Sequence, residues 1–254
     1  MGITYEIGNA LSVLGAEPPD SAEFVYLDDA WARPNRHGGF GVDYPTHPFD
    51  EQEASKVEDE PGVETSLSVR DMLDASTNVV RPGGILAVDV DDYLLPKVVN
   101  YFKDEWSPTS FAIAQTVSLT NAGEPDQSTP GMYCSTGGYS TILAWHHASP
   151  VPRGHPLREH HTLHCPCQRQ REDYGWGTVK PLAPFEQWLD AYTKAGDRIL
   201  CPCAGTAPAA IAAEKLYGDE TSVLCVDIEP EAKEAYQRRR RDELNFQQTL
   251  SQWG

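Results

Sequence analysis

The 254-residue chain has no run of about 18 consecutive apolar residues, so the sequence predicts no transmembrane helix. The N-terminus from Met1 to Glu6 also lacks basic residues followed by an apolar stretch, which is the pattern of a secretory signal. We therefore expect a soluble, cytoplasmic protein that does not associate with a membrane.

Basic residues are scarce. The chain has 20 Lys and Arg against 38 Asp and Glu, for a formal net charge of -18, and Lys is rarer than Arg. A solvated acidic surface accounts for this composition, and so does adaptation to high salt (a halophilic protein), where dense carboxylates keep a protein soluble. The charge opposes nucleic-acid binding, because a local basic patch would have to attract phosphates against the overall field.

Cysteine is limited to six residues, and without a secretory signal we expect no disulfide framework. The segment from His160 to Cys167 is rich in zinc-ligand side chains and could combine with Cys201 and Cys203 in a mixed site. However, each Cys-Pro-Cys has one residue between its cysteines, where zinc sites usually have two to four. We therefore expect no bound metal, and instead a polar loop.

Apolar runs and helical periodicity alternate along the chain. They predict strands at 24–27, 85–90, 111–119, 141–147, 198–201 and 223–227, and helices at 67–80, 94–106, 184–195, 206–216 and 230–241. A Gly- and Pro-rich turn separates the helix at 67–80 from the next strand, and residues 32–64 are predicted as a long loop. This alternation is typical of an α/β fold with a mostly parallel sheet and helices on both faces. Ligands of such folds bind at the carboxyl ends of the strands.

The loop from Cys201 to Ala207 lies between a predicted strand and a predicted helix. Its small residues, including Gly205 and Thr206, allow backbone N–H groups to approach a ligand carboxylate or phosphate. The next strand ends at Asp227, where a carboxylate can accept hydrogen bonds from both ribose hydroxyls of an adenosine ligand. Together these features predict a nucleoside-cofactor site, although a tight turn and an ordinary strand-end Asp would give the same pattern.

The segment from Lys180 to Arg238 resembles the C-terminal half of the permuted, or β-group, DNA amino-methyltransferases. That family has a Lys-Pro pair, a helix, Gly-Asp, a strand, the loop D-P-F-x-G-S-G, an Ala-rich helix and an acidic strand end. The corresponding residues here are Lys180-Pro181, Gly196-Asp197, the loop, and Asp227. The resemblance implies S-adenosylmethionine as cofactor, and the predicted binding residues are Lys180, Pro181, Cys201, Cys203, Gly205, Thr206 and Asp227.

The N-terminal half is similar to the same family. Its catalytic motif, [D/N/S]-P-P-[Y/F/W], follows a strand, and the matching segment here is Asp28-Asp29-Ala30-Trp31. In this motif a carboxylate and a backbone carbonyl accept hydrogen bonds from an exocyclic amino group, and an aromatic ring stacks on the flipped base. The resemblance therefore implies Asp28 and Trp31 as catalytic residues. Alternatively, Asp28 ends a strand and Trp31 packs under the next loop.

The resemblance implies one domain, 1–254, with a Rossmann-like methyltransferase fold, a mostly parallel seven-stranded sheet and a circularly permuted motif order. It assigns target recognition to a loop-rich insertion around 120–179, which carries four arginines; a further basic run follows at 238–241. The implied activity is methylation of a base amino group in double-stranded DNA, adenine N6 in preference to cytosine N4, with a restriction endonuclease as a partner of such enzymes.

Both motifs depart from the family pattern. Asp29 and Ala30 replace the two prolines of the catalytic motif, and Cys201, Cys203 and Ala207 replace the Asp, Phe and last Gly of the cofactor loop. Two alternatives therefore stand beside the enzyme: a degenerate methyltransferase fold that binds cofactor or nucleic acid without turnover, and a different nucleotide-binding α/β protein.

Overall fold

The computed structural model describes residues 2–28, 47–57, 67–90, 94–108, 110–118, 138–146, 161–164, 173–176 and 179–251. It contains eight strands in these ranges: β1 (Gly2–Ile7), β2 (Ala22–Leu27), β3 (Val80–Val90), β4 (Ser110–Ser118), β5 (Gly138–Trp145), β6 (His161–His164), β7 (Arg198–Pro202) and β8 (Ser222–Asp227).

Helices occupy most of the connections between these strands. They are α1 (Ala10–Ala16), α2 (Glu51–Val57), α3 (Val69–Val79), α4 (Leu95–Tyr101), α5 (Ala183–Tyr192), α6 (Pro208–Tyr217) and α7 (Pro230–Ser251). One π-helical turn, Phe102–Trp106, continues α4. Ser68 begins α3 with a capping box, because its hydroxyl accepts the Asp71 N–H while the Asp71 carboxylate accepts the Ser68 N–H. No helix of the described ranges is both long and apolar enough to cross a membrane.

All eight strands belong to one sheet with the order β1-β8-β7-β2-β3-β5-β4-β6. Strand β5 runs antiparallel to both of its neighbours, and the other adjacent pairs are parallel. Consequently the carboxyl ends of β1, β8, β7, β2 and β3 lie along one edge. The strand order reverses between β7 and β2, and in open α/β sheets ligands bind in the crevice at such a switch point.

Each central strand places alternate side chains on opposite faces of the sheet, as its two-residue period requires. On β2, Phe24 and Tyr26 join one core cluster with residues of α5, α6 and α7. Val25 and Leu27 join the other, with residues of α1, α3 and α4. The molecule is therefore a three-layer α/β/α structure. The expected Rossmann-like, mostly parallel sheet with helices on both faces is confirmed, with eight strands in the described residues where seven were expected.

Several local expectations were wrong. Residues 32–64 contain α2, because acidic residues in the first turn and Lys56 in the last turn favour that short helix. His161–His164 form β6, beside β4, rather than a polar loop. The final helix extends ten residues beyond its expected end, to Ser251. Strand β1 and helix α1 were not expected, and the 81–84 turn lies within β3, next to a register irregularity between β2 and β3.

Candidate functional site

The switch point brings the two sequence-predicted motifs together. Strands β2 and β7 are paired through Phe24 with Ile199 and Val25 with Leu200. Asp28 follows β2 directly, and the loop 203–207 follows β7, so both begin at the same edge of the sheet. Strand β8 pairs with the other side of β7 and ends at Asp227. The carboxyl ends of these two strands, which carry the loop and Asp227, therefore lie side by side.

The loop between β7 and α6 has an unusual backbone. Cys203, Gly205 and Ala207 all have positive φ, of 57°, 52° and 47°. A positive φ is easy for glycine but costs about 1–2 kcal/mol for other residues, because Cβ approaches a carbonyl oxygen. Such turns aim successive N–H groups at one side of the loop. Pro208 then begins α6 at a position that needs no N–H donor.

Asp227 connects the two strand-end loops. Its carboxylate accepts the Gly205 N–H at 2.8 Å on Oδ2 and the Glu229 N–H at 3.0 Å on Oδ1. Burial raises the pKa of Asp227, and backbone hydrogen bonds from Glu229, Gly205 and Ile228 oppose the rise. A carboxylate has about four acceptor positions, so Asp227 keeps acceptor capacity for a ligand hydroxyl.

Two aromatic side chains support Gly205 from outside the motif. The Tyr5 hydroxyl donates to the Gly205 carbonyl at 2.7 Å. Trp176 lies so close that a Cβ at position 205 would be 3.2 Å from Trp176 Nε1. Together with the positive φ, this contact explains why the position is glycine.

Ile228 is the most exposed large hydrophobic residue of the described chain, at 68%. It follows Asp227 directly, at the carboxyl edge of the sheet, beside the loop that Asp227 holds. An exposed isoleucine gains about 1.5–3 kcal/mol when it is fully covered by an apolar surface. Next to a carboxylate that can accept hydroxyl hydrogens, Ile228 offers a surface for a flat, apolar ring.

Thr206 is held by a buried arginine from α7. Arg239 donates from one terminal nitrogen to Thr206 Oγ1 at 2.9 Å and from the other to the Lys180 carbonyl at 2.6 Å. Only 2% of Arg239 is exposed, and burial lowers the pKa of its guanidinium to about 10. The arginine thus connects the loop after β7 to the backbone that precedes α5.

The basic run at 238–241 therefore does not form a uniform phosphate-binding surface. Arg239 is buried, Arg238 pairs with Glu234, and Arg240 pairs with Glu214. The run also lies within its helix and not at the C-terminal end, since α7 continues to Ser251.

Beside Asp28 lies a group that we call the lysine–carboxylate cluster: Asp28, Asp89 and Lys180, with Tyr26, Tyr139 and Thr141 around them. The Lys180 ammonium is 2.9 Å from Asp89 Oδ2 and 3.2 Å from Asp28 Oδ1. The ammonium thus links two neighbouring strands, because Asp89 belongs to β3 and Asp28 directly follows β2. The side-chain exposures are 4% for Lys180, 2% for Asp89 and 19% for Asp28, so Asp28 is the member that solvent or a ligand can reach.

Asp89 accepts hydrogen bonds from three side chains. Tyr26 donates its hydroxyl to Oδ2 at 2.6 Å, Thr141 donates to Oδ1 at 2.5 Å, and Lys180 completes the set. Lys180 also lies over the Tyr139 ring, 3.6 Å from its centroid, in a cation–π arrangement. Asp28 Oδ1 is buried, and its closest charged neighbour is the Lys180 ammonium at 3.2 Å.

Burial and neighbouring charges shift the pKa values of several groups in this cluster. Burial raises the pKa of Asp28 to about 6; Lys180 opposes the rise, and Asp89 adds to it. The pKa of Lys180 is raised despite its burial, because Asp28 and Asp89 favour the ammonium. Burial raises the pKa of Tyr26 and Tyr139 above the usual tyrosine range, with the carboxylates adding to it.

The other residues predicted from sequence do not all lie at the carboxyl edge of the sheet. Cys201 is buried in the core beside Cys225, so its side chain does not line the edge of the sheet. Cys203 is half-buried against the opposite core cluster, and Pro181 leads into α5. Trp31, Cys165 and Cys167 lie outside the described residues. Among the residues that the structure describes, no group of three or more His, Cys, Asp or Glu is arranged to hold a metal.

Sequence reasoning missed several residues of this edge: Tyr5, Tyr26, Asp89, Tyr139, Thr141, Trp176, Ile228 and Arg239. Asp89 gave a usable signal, because it is a single carboxylate inside the apolar run from Ile85 to Val90. A buried charge in a central strand needs a partner. Arg239 gave none, since a run of four arginines is indistinguishable from a solvated helix face.

Comparison with solved structures supports the fold. M1.HpyAVI, solved as a complex with SAM, superposes with a TM-score of 0.59 over 93% of this chain and 98% of its own, at 14% identity. The PvuII DNA methyltransferase, which is cytosine-N4-specific, gives a TM-score of 0.61 over 96% and 92%, at 12% identity. A putative DNA modification methylase from Thermus thermophilus, complexed with S-adenosyl-L-methionine, gives 0.54 over 96% of both chains, at 17% identity. No protein-family model and no curated sequence matches the chain.

Proposed function

We propose that this protein is an S-adenosylmethionine-dependent methyltransferase that acts on an exocyclic amino group of a base in double-stranded DNA. The observation that carries the proposal is the convergence of Asp28, after β2, and the Gly205–Asp227 pair, after β7 and β8, at the switch point of one sheet. Solved structures similar in fold include a SAM complex and a cytosine-N4-specific DNA methyltransferase.

The residues after β7 and β8 fit the proposed cofactor. Asp227 has acceptor positions for ribose hydroxyls, and exposed Ile228 offers an apolar surface for an adenine ring. The positive φ of Gly205 and its contact with Trp176 keep the loop close to the strand ends. Cys203 is smaller than the Phe of the family loop, so Ile228 would supply more of the contact with adenine.

Asp28 would act on the target amino group. When bound, S-adenosylmethionine supplies an electrophilic methyl carbon. Gly205 and Asp227 would hold the cofactor, its sulfonium sulfur would give up the methyl group and keep the electron pair, and the methylated amino nitrogen would lose one proton. The Asp28 carboxylate would favour the positive charge that develops on nitrogen, and it can accept a hydrogen bond from that amino group and hold the proton.

The finer parts of the proposal follow from the sequence motifs. An Asp at the first motif position favours adenine N6 over cytosine N4. The motif that contains Asp28 precedes the cofactor loop along the chain, which is the permuted order. Target recognition would fall to the segment around 120–179.

A non-catalytic binding protein is the second candidate. The specific observation in its favour is the ion pair between Lys180 and Asp28, which competes with an incoming amino group for the carboxylate. Replacement of both family prolines, by Asp29 and Ala30, also favours this candidate.

Two measurements separate the candidates. Calorimetric titration with S-adenosylmethionine and S-adenosylhomocysteine tests the cofactor site. A methyl-transfer assay on mixed-sequence duplex DNA, at low and multimolar salt, tests the activity, and product analysis distinguishes N6-methyladenine from N4-methylcytosine. Cofactor binding without methyl transfer would favour the binding protein, and no cofactor binding would favour an unrelated nucleotide-binding α/β protein.

A further inference from the structure

The Lys180 side chain contacts two carboxylates, whereas the sequence suggested that it binds the cofactor. The Lys-Pro pair was expected to bind cofactor, yet the ammonium contacts Asp89 and Asp28, while the Lys180 carbonyl accepts Arg239. Lys180 is therefore a connection between two carboxylates, one fully buried in the sheet and one at its open edge.

Asp89 is suited to anchor this lysine. Its hydrogen bonds from Tyr26 and Thr141 come from β2 and β5, the two strands that flank β3. The carboxylate therefore cannot change position without breaking contacts to both neighbouring strands. A single ammonium held in this way presents a fixed positive charge to Asp28.

We propose that Lys180 and Asp89 are positioning residues for the proposed methyl transfer: Asp89 anchors Lys180, and Lys180 orients Asp28 and keeps it negatively charged. The inference rests on the proposed function for its catalytic meaning, but the electrostatic arrangement can be tested without turnover.

The groups that face Asp28 act on its charge in opposite directions. Lys180, before α5, favours the carboxylate, whereas Asp89, on β3, opposes it. Tyr26 on β2 and Tyr139 on β5 stay neutral around neutral pH because burial raises the pKa of both. An opposite charge within about 4–6 Å changes a pKa by about 1–3 units. The two charged residues should therefore have separable and opposite effects.

The test is the titration of Asp28 by NMR of ¹³C-labelled aspartate carboxyls, with the Asp28 signal assigned by its absence in Asp28→Asn. The wild type is expected to titrate near pH 6. Lys180→Met should move the midpoint up by about 1–3 units, and Asp89→Asn should move it down by about one unit. Lys180→Arg, which keeps the charge, should leave it close to wild type. Lys194→Met, an exposed lysine at the opposite edge of the sheet, is the control and should leave it unchanged.

The pH dependence of methyl transfer supplies the second readout. The acid limb of the rate profile should follow the NMR midpoints, moving up in Lys180→Met and down in Asp89→Asn, while cofactor affinity is unchanged. If Lys180→Met does not fold, Lys180→Gln removes the same charge with a polar side chain and should also move the midpoint up.

Equal midpoints in all variants, or shifts of the same sign for Lys180→Met and Asp89→Asn, would overturn the inference. Opposite NMR shifts in a protein that never methylates DNA would support the electrostatic arrangement and reject the proposed function. Methyl transfer with unchanged midpoints would support the function and reject the roles of Lys180 and Asp89.

Discussion

The backbone N–H of Gly205 donates to Asp227 Oδ2 over 2.8 Å, which joins the loops that follow two neighbouring strands. The bond holds the Asp227 carboxylate beside the positive-φ turn and leaves acceptor capacity for a ligand. It makes this pair the most direct target for a test of cofactor binding.

Replacing Asp227 should weaken binding of the cofactor. Loss of a charge-assisted hydrogen bond costs about 1.5–3 kcal/mol, so Asp227→Ala should raise the Kd for S-adenosylhomocysteine roughly tenfold or more. Calorimetry measures the change. Asp219→Asn, an exposed carboxylate at the opposite end of β8, removes the same charge and should leave the Kd unchanged. Equal affinity in wild type and Asp227→Ala would exclude Asp227 from the site.

Ile228 should contribute to the same Kd without contributing to folding. Because its side chain is 68% exposed, Ile228→Ser should hardly alter the free energy of unfolding. If adenine covers it, the lost apolar contact should weaken binding by about 1–2 kcal/mol, or roughly five- to thirtyfold. Leu216→Ser, at the C-terminal end of α6 and 37% exposed, is the matched control for affinity. An unchanged Kd in Ile228→Ser would place the adenine elsewhere.

Asp28 should be essential for methyl transfer. Removing a charge directed at the developing positive nitrogen should lower the rate by about a hundredfold or more in Asp28→Ala, with the Kd for cofactor almost unchanged. Trp31→Ala should reduce the rate less, by weakening the stack that holds the flipped base. Single-turnover methylation of duplex DNA measures both. An active wild type with an equally active Asp28→Ala would show that the motif alignment is wrong.

Asp28 should also destabilise the folded protein above its own pKa. The folded-state pKa of about 6 exceeds the ordinary value of about 3.9, so the folded state binds the proton more tightly than the unfolded chain. Protonated Asp28 therefore stabilises the folded state relative to the ionised form. This contribution to the free energy of unfolding is complete below about pH 4, is lost as pH rises through 6, and amounts to about 1–3 kcal/mol lost at pH 8.

Asp28→Asn should therefore increase the free energy of unfolding at pH 8 by about this amount, with much less gain at pH 5. Urea unfolding at the two pH values measures the difference, and exposed Asp219→Asn should show no such pH-dependent gain. The same gain at both pH values would indicate a packing effect instead of a charge effect.

Ala207 occupies a position where φ is 47° and the resembling family has glycine. Ala207→Gly relieves about 1–2 kcal/mol of backbone strain but removes a buried methyl group worth about 0.8 kcal/mol. We expect an unchanged or slightly higher Tm. Ala204→Gly, in the same loop and also buried but without a positive φ, should lower stability by about 1 kcal/mol or more. Equal losses in the two variants would contradict the strain at Ala207.

The part of the fold that is most evident from sequence is the unit from α5 to β8. Its helices and strands have strong periodicity, its connections are short, and a small-residue loop lies between a strand and a helix. Such features depend on neighbours along the chain, so they could be predicted: the loop at 203–207, the adjacent strand ending at Asp227, and the position of Asp28 after β2 all follow from local pattern.

The partners of the charged side chains were decided only by the tertiary structure. Lys180 lies next to a motif that suggested cofactor binding, yet its ammonium reaches Asp28 and Asp89, which are far from it in sequence. Arg239 belongs to a run that resembles a solvated face, yet the packing of α7 buries it against Thr206. Local periodicity determines where helices and strands form. Burial and charge pairing depend instead on which strands become neighbours, and in a parallel sheet neighbouring strands join residues that are far apart in the chain.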